Sequence, residues 1–300
     1  MPAAVYGTPP NDVLETPKGA RQLSPLIPGS DDVAQMADAS LDEVALLVPP
    51  GAVEARYVVA QALRVLAPGG ALVATAPKDR GGLRLKRTLE GFGCEVAETA
   101  RRHHRICAVE RPATLTGIEE AIAEGAPRLM PSGLWSQPGV FSWERLDSGS
   151  ELLLKHLPKL KGQGADLGGG IGWLSRAVLT SPDVTKLRII ELDRRAYDCA
   201  RRNIEDERAT IEWADVRNVA PPLADLDFVV MNPPFHDGGA EDRALGQAFI
   251  RVASSALRKG GTLWLTANRH LPYETVLNEA FKVVKPVADA SGFKIYEARR

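Results

Sequence analysis

The residues best suited to chemistry are Val230-Met231-Asn232-Pro233-Pro234-Phe235-His236, at the end of an apolar run that reads as a strand. An exocyclic amine on a nucleobase is a poor nucleophile, because its lone pair is delocalised into the ring. If the Asn232 side-chain oxygen and the Pro233 carbonyl each accept one amine hydrogen, the lone pair points outward and the developing charge is stabilised. Consecutive prolines stiffen the backbone and remove competing N–H donors. Phe235 offers a face on which a base can stack. The plainer reading of this stretch is a rigid surface turn.

Three signals upstream would hold the group that such an amine attacks. In Ala165-Asp166-Leu167-Gly168-Gly169-Gly170-Ile171-Gly172, the glycines Gly168, Gly170 and Gly172 alternate between a strand and a helix. Such a loop lets backbone approach a ligand and sets a helix N-terminus, with unpaired N–H groups, beside it. It lacks the dinucleotide fingerprint, which wants a third glycine three residues after the second, and alone it also fits a tight turn. Glu191-Leu192-Asp193 ends the next strand, with Glu191 25 residues beyond Asp166. A carboxylate there accepts both ribose hydroxyls; Glu191 is preferred, Asp193 is second, and a solvated strand end is the alternative. After the third strand comes Ala214-Asp215-Val216. Asp215 would accept from an adenine amino group with Val216 against the ring, although by itself it reads more readily as a cap or turn.

Strands and helices alternate around these residues. Strands are expected at Gly164–Leu167, Arg188–Leu192, Thr210–Trp213, Asp227–Met231 and Thr262–Ala267, with helices between the earlier ones. A closing hairpin, Val283–Asp289 with Phe293–Ala298, turns at Ser291-Gly292. This is an α/β pattern, a mostly parallel sheet covered on both faces. The first half repeats it in part: strand Ala45–Val48, helix Ala52–Leu66, strand Ala71–Ala76, helix Leu83–Phe92, and strands near Glu95–Thr99 and Ile106–Val109. Residues 1 to about 40 read as a loosely structured lead-in. Glu110 to Pro138, around a short helical stretch Ile118–Ala123, reads as a linker.

The two halves also share sequence. Leu66-Ala67-Pro68-Gly69-Gly70-Ala71-Leu72-Val73 matches Leu257-Arg258-Lys259-Gly260-Gly261-Thr262-Leu263-Trp264. Leu47-Val48-Pro49-Pro50-Gly51 aligns with Met231-Asn232-Pro233-Pro234-Phe235, and Ile106–Arg111 with Ile295–Arg300. Three matches in one order indicate duplication. The first copy carries Val48 and Gly51 in place of the Asn and the aromatic, and no glycine-rich loop precedes it. It keeps the packing pattern without the chemistry.

Composition sets the outer limits. Three hundred residues fit two domains, here 1–130 and 131–300, and 44% apolar with 25% charged residues is ordinary for a soluble globular protein. A net charge of −1 leaves nucleic-acid binding to local patches. Two are candidates: Lys78, Arg80, Arg84, Lys86 and Arg87, then Arg101, Arg102, His103, His104 and Arg105. Either is equally a solvated face. Cys94, Cys107 and Cys199 lack zinc or disulfide spacing, and His103 and His104 show no ligand pattern, so no metal is expected. Without a signal-like N-terminus or a bilayer-length apolar run, a soluble cytoplasmic protein is expected, with no membrane partner.

Together, the glycine loop, the acid and Asn-Pro-Pro-Phe resemble the class I N-methyltransferases that use S-adenosyl-L-methionine (AdoMet). Val140-Phe141-Ser142, Leu146-Asp147-Ser148-Gly149-Ser150, Asn232-Pro233-Pro234-Phe235-His236-Asp237-Gly238 and Leu271-Pro272-Tyr273 resemble, more narrowly, the bacterial ribosomal RNA guanine N(2)-methyltransferases of the RsmC and RlmG types. The resemblance implies a Rossmann-like methyltransferase sheet with a C-terminal hairpin, preceded by a degenerate methyltransferase-like domain. It implies AdoMet as cofactor and ribosomal RNA or a ribosomal subunit as partner. Asp166 to Gly172 would hold the methionine end, Glu191 the ribose and Asp215 the adenine. Asn232 and Phe235 would hold the guanine, and Asp147 would lie in the segment closing over the methionine. Gly169 stands where many members carry Cys or Ala, and Trp173 is bulkier than the pattern leads one to expect. The rival functions are N-methylation of DNA adenine or a protein glutamine, and an AdoMet- or RNA-binding scaffold without catalysis.

Overall fold

Apolar stretches such as Val44–Leu47 and Phe228–Met231 become inner strands of two separate sheets, because a strand covered on both sides needs apolar residues at odd and even positions alike. The structure, a computed structural model, describes residues 2–234, 236, 237, 240, 241 and 243–300, and side chains outside 235–243. It divides into two units, Met1–Pro127 and Arg128–Arg300.

In the first unit the elements are β1 (Ala3–Tyr6), β2 (Arg21–Gln22), β3 (Leu41–Leu47), α1 (Ala52–Val65), β4 (Leu66–Pro77), α2 (Leu83–Gly91), β5 (Ala97–Arg101), β6 (His104–Glu110) and α3 (Ile118–Gly125). The sheet order is β2-β1-β3-β4-β6-β5, parallel from β2 to β4 and antiparallel at β6 and β5. Two expectations are corrected here. The lead-in contributes an inner strand, and Ala4, Val5, Tyr6, Leu23 and Val33 are buried; four apolar residues are too few to show a period. The helical stretch expected inside the linker is α3, and it is no free connection: ion pairs from Arg56 to Glu120 and Glu124 and buried Ala121 tie it to α1.

The second unit begins with a small hairpin, β7 (Arg128–Leu129) with β8 (Trp135–Ser136), and α4 (Ser148–His156). There follow β9 (Gly162–Leu167), α5 (Trp173–Leu179), β10 (Val184–Glu191), α6 (Arg194–Asn203), β11 (Ala209–Trp213), β12 (Leu226–Met231), and the short pair β13 (His236–Asp237) and β14 (Ala240–Glu241). Last come α7 (Arg243–Ala256), β15 (Leu257–Asn268), α8 (Glu274–Ala280), β16 (Val283–Ala290) and β17 (Phe293–Arg299). The sheet order is β11-β10-β9-β12-β15-β17-β16, with only β17 and β16 antiparallel to their neighbours. Alternate residues of β12 serve opposite faces. Val229 and Met231 pack with Phe249, Ile250 and Leu277 of α7 and α8. Phe228 and Val230 pack with Leu153, Leu174 and Val178 of α4 and α5. All carboxyl ends of the parallel strands lie on one edge, where open α/β sheets bind ligands. Ser291 and Gly292, at φ 53° and 83°, make the expected hairpin turn.

The internal repeat is carried in the strand pairing. Leu41 opposite Leu66 and Glu43 opposite Ala71 repeat as Leu226 opposite Leu257 and Phe228 opposite Thr262, with the same irregularity between them. Arg111 and Arg300 each close the loop before the antiparallel strand through Gly69–Gly70 and Gly260–Gly261. Register also corrects the alignment by one residue. Leu46 faces Ala74 as Met231 faces Leu265, so Leu47, not Val48, stands where Asn232 does. Matching the two proline pairs hides the slip. Among the described residues no helix is long and apolar enough to cross a membrane.

Candidate active site

At the carboxyl edge of β9, Gly168, Gly170 and Gly172 have φ of 74°, 56° and 97°, values that a side chain would strain. The loop folds back on the strands. Gly168 and Gly169 N–H both donate to the Ile190 carbonyl, Gly172 N–H to Gly169 and Gly170 N–H to Glu191 Oε2 at 2.7 Å. These four amides are taken up by β10 and by the loop itself, so what the loop glycines offer a ligand is close approach. A Cβ on Gly170 would meet nothing within 4 Å, so open space lies beside it. At Gly169 a Cβ would meet Ile189 Cγ2 at 2.4 Å. Ile189 thus fills the room that a larger residue needs, which accounts for glycine here.

Asp166 lies beneath the loop with no exposed surface. Ser175 Oγ donates to its Oδ2 at 2.6 Å and pins α5 to β9. Its Oδ1 has no partner among the described residues. Burial pushes the carboxyl up to about 6, against the hydrogen bonds from Ser175. Glu191 accepts from Gly170 N–H through Oε2 and from Asp193 N–H through Oε1, both at 2.7 Å. Burial pushes it up to about 7, the backbone N–H groups of Asp193, Gly170 and Leu192 oppose the shift, and the Asp193 charge adds to it. The residue is only partly buried by surface area: its carboxyl is walled in by protein but not sealed off.

Asn232 follows the last residue of β12. Its Nδ2 donates to Asp147 Oδ1 and Oδ2 at 3.2 and 3.3 Å and to Ser150 Oγ at 3.0 Å. Asp147 is the N-cap of α4, taking Gly149 and Ser150 N–H on Oδ1 at 2.9 and 3.1 Å. One cleft is lined by Asp147, Ser150, Gly168, Gly169, Gly170 and Asn232, with Phe141, Ser142, Ile171, Trp173 and Leu174. Asp147, Gly168, Gly170 and Asn232 are thus brought together, and Glu191 joins them through Gly170. Pro233 is buried beside them, while Phe235 lies outside the described residues.

Asp193, Asp215 and Val216 are not in the cleft lining. Asp193 caps α6 and is paired with Arg195 at 2.7 Å. Asp215 caps a short 3-10 helix and is paired with Arg217 at 2.6 Å, which holds its carboxyl below the usual range. Val216 is buried in the core. Sequence reasoning did not single out Phe141, Ser150 or Trp173 as site residues. Phe141 lines the cleft and is 57% exposed, so its ring is accessible to a ligand there. Trp173, the unexpectedly bulky residue, walls the cleft and packs toward Leu134, Val140 and Ala196. Phe141 and Ser150 stand in the Val140–Ser142 and Leu146–Ser150 motifs and Trp173 directly follows the glycine loop, and those were their signals.

The site fits AdoMet. The unsatisfied buried Asp166 oxygen, the open space at Gly170 and the remaining lone pairs of Glu191 suit a ligand with an ammonium group and a ribose diol. Among the described residues no group of three His, Cys, Asp or Glu could hold a metal.

The start of the first basic cluster meets the second at one end of the first unit's sheet. Lys78 N–H donates to the His103 carbonyl at 2.8 Å, and Pro77 pairs with His104. Arg101, Arg102 and His103 are exposed at the β5–β6 turn, with Arg102 and His103 at φ 48° and 60°.

Residues 132–297 match the family model of the methyltransferase small domain. The ribosomal RNA small subunit methyltransferase C of Shewanella loihica is 30% identical over 270 residues, 87% of this chain and 78% of that protein. Its counterpart from Shewanella amazonensis is 28% identical over 88% of this chain. The solved structure of T. thermophilus RsmC, a 16S rRNA methyltransferase in complex with AdoMet and guanosine, superposes over the whole chain and 88% of its own, with a TM-score of 0.79 at 24% identity. With its glycine loop, its strand-end asparagine and the family model over more than half its length, this chain belongs to the methyltransferase small domain family of class I methyltransferases.

Proposed function

We propose that this methyltransferase transfers the methyl group of AdoMet to the exocyclic N(2) amine of a guanine in small-subunit ribosomal RNA. The observation that carries the reading is the placement of Asn232, at a strand end in the same cleft as Gly168 and Gly170. AdoMet supplies an electrophilic methyl on a sulfonium. Asp166 and the loop would hold its methionine end and Glu191 its ribose. The Asn232 oxygen and the Pro233 carbonyl accept the amine hydrogens and free the lone pair to attack. As the new C–N bond forms the C–S bond breaks, and one amine proton leaves to solvent. A stacked guanine has to be turned out of its helix to reach the cleft. The substrate class is supported by the relatives named for small-subunit ribosomal RNA and by the guanosine bound in the T. thermophilus protein. Such a substrate would place its work in the cytoplasm. The first unit is a methyltransferase-like domain that has lost its chemistry and serves substrate recognition through its basic β5–β6 turn.

Mass spectrometry of nucleosides from cells lacking the protein tests this directly. Loss of one N(2)-methylguanosine from small-subunit ribosomal RNA is the expected result. Unchanged ribosomal RNA with loss of a methylated DNA adenine or protein glutamine would replace the substrate.

A further inference from the structure

We infer that Asp147 is a positioning residue, one that decides which end of the Asn232 amide faces the substrate amine. The inference rests on the reading that the Asn232 oxygen accepts an amine hydrogen. The two ends of an asparagine amide are nearly alike in size, and only the hydrogen-bond partners tell them apart. If the NH2 end faced the amine, donor would meet donor and the lone pair would not be freed.

The structure fixes the choice on one side. Both Asp147 oxygens and Ser150 Oγ lie within 3.3 Å of the same end of the amide. An ionised carboxylate only accepts, whereas the Ser150 hydroxyl donates or accepts and is indifferent. That end must therefore be Nδ2, and Oδ1 faces the other way. A flipped amide would set its oxygen against two carboxylate oxygens. Asp147 is itself held still, because its Oδ1 takes Gly149 and Ser150 N–H in the first turn of α4. That turn is fixed against β17, where a Cβ on Gly149 would come within 2.7 Å of the Phe293 ring. The same carboxylate thus caps the helix and orients the amide.

Capping alone makes a different prediction from positioning. Asparagine caps helices about as well as aspartate, so Asp147→Asn preserves α4. With its oxygen kept in the cap, still 3.2 Å from Asn232 Nδ2, the introduced residue sets an NH2 at the other carboxylate position, 3.3 Å away. Donor then faces donor there, the charge that excluded the flipped amide is gone, and the flipped form, with its NH2 toward the substrate, becomes populated. Combining Asp147→Asn with Asn232→Asp restores a donor–acceptor pair and leaves a carboxylate oxygen facing the substrate.

The experiment is single-turnover methyl transfer to small-subunit ribosomal RNA at saturating AdoMet, with AdoMet Kd and melting temperature measured on the same preparations. Asp147→Asn should slow transfer on the order of 100-fold, the scale of removing one oriented hydrogen-bonding group, with Kd and melting temperature nearly unchanged. The double variant should recover at least about tenfold over either single one. A near-normal rate in Asp147→Asn beside an inactive Asn232→Ala would overturn the positioning role and leave the reading of Asn232 standing. A loss of AdoMet affinity matching the loss of rate would overturn it in favour of a direct cofactor role. An active Asn232→Ala would remove the reading on which the inference rests.

Discussion

Glu191 is subject to opposing demands: burial favours its neutral form, and a ribose diol needs it ionised to accept two hydrogen bonds. With its carboxyl raised to about 7, AdoMet affinity should improve as pH rises from 6 to 8. Binding should be about tenfold weaker at pH 6, the effect of one pH unit below the midpoint. Calorimetry across that range would show it as a difference between wild type and Glu191→Gln, since any titration of the ligand is common to both. Parallel profiles would move the ribose role elsewhere. The sign for stability is opposite. The native state keeps a proton that the unfolded chain, with an ordinary value of 4.5, has lost, so this group's contribution falls as pH rises between 4.5 and about 7. Asp166 acts in the same direction between 3.8 and about 6. Residue types at strand ends were legible in the sequence, but their partners were not. Asp193, Asp206 and Asp215 each pair with the arginine two residues on, and each accepts that arginine's backbone N–H. An Asp-x-Arg spacing could have signalled this local closure. Glu191 has no arginine two residues later and keeps lone pairs for a ligand.

The β5–β6 hairpin is the element whose exposure packing does not explain. Every residue of β5 is exposed, and its turn holds Arg102 and His103 in a left-handed conformation that most side chains avoid. A two-residue hairpin turn between Arg101 and His104 requires positive φ at both central residues, so the turn itself accounts for it. Lys78 is bonded to the same turn, which brings the start of the first basic cluster beside the second. If that turn meets phosphates, Arg101→Glu with Arg102→Glu should weaken RNA binding and lower the slope of log affinity against log salt by roughly 0.7–0.9 for each phosphate no longer neutralised. Filter binding between 50 and 200 mM salt measures it, and an unchanged slope would leave the hairpin without a role in RNA binding. Asp12 and Glu98 lie within 3.3 and 3.8 Å of Arg102 and Arg105, so part of the charge is already compensated. The long alternating strands and helices of both halves were readable from their periodicity. β1, four residues long, was not, and α3 was readable as a helix but not as part of the packed unit. What makes them core elements is their packing on residues far along the chain, Val44 to Leu46 for β1 and Arg56 for α3.

At the scale of the whole chain, two sheets share one plan and differ in chemistry. Pairing register allows a residue-by-residue comparison that sequence alignment does not. Tyr6 faces Leu46 as Leu167 faces Met231, so Val5 takes the place of Asp166 and Gly7 that of Gly168. Gly7 keeps the left-handed φ, 80° against 74°. Val5 faces Gln22 as Asp166 faces Ile189, which puts Ser24 two residues on, where Glu191 stands. Leu47 takes the place of Asn232. The first unit therefore keeps the turn that a glycine requires while losing both carboxylates and the amide. Its core is its own, built from β1, β3, β4, β6 and the helices α1 to α3. A fragment of residues 1–127 should accordingly melt as one cooperative transition and bind no AdoMet at millimolar concentration in calorimetric titration. In the full chain, Leu47→Asn should not change the stoichiometry from one AdoMet per chain, since neither acid is restored. Specific binding by the fragment, or two sites per chain in the wild type, would mean that the first unit retains a cofactor pocket and that the register comparison misreads how the two sheets diverged.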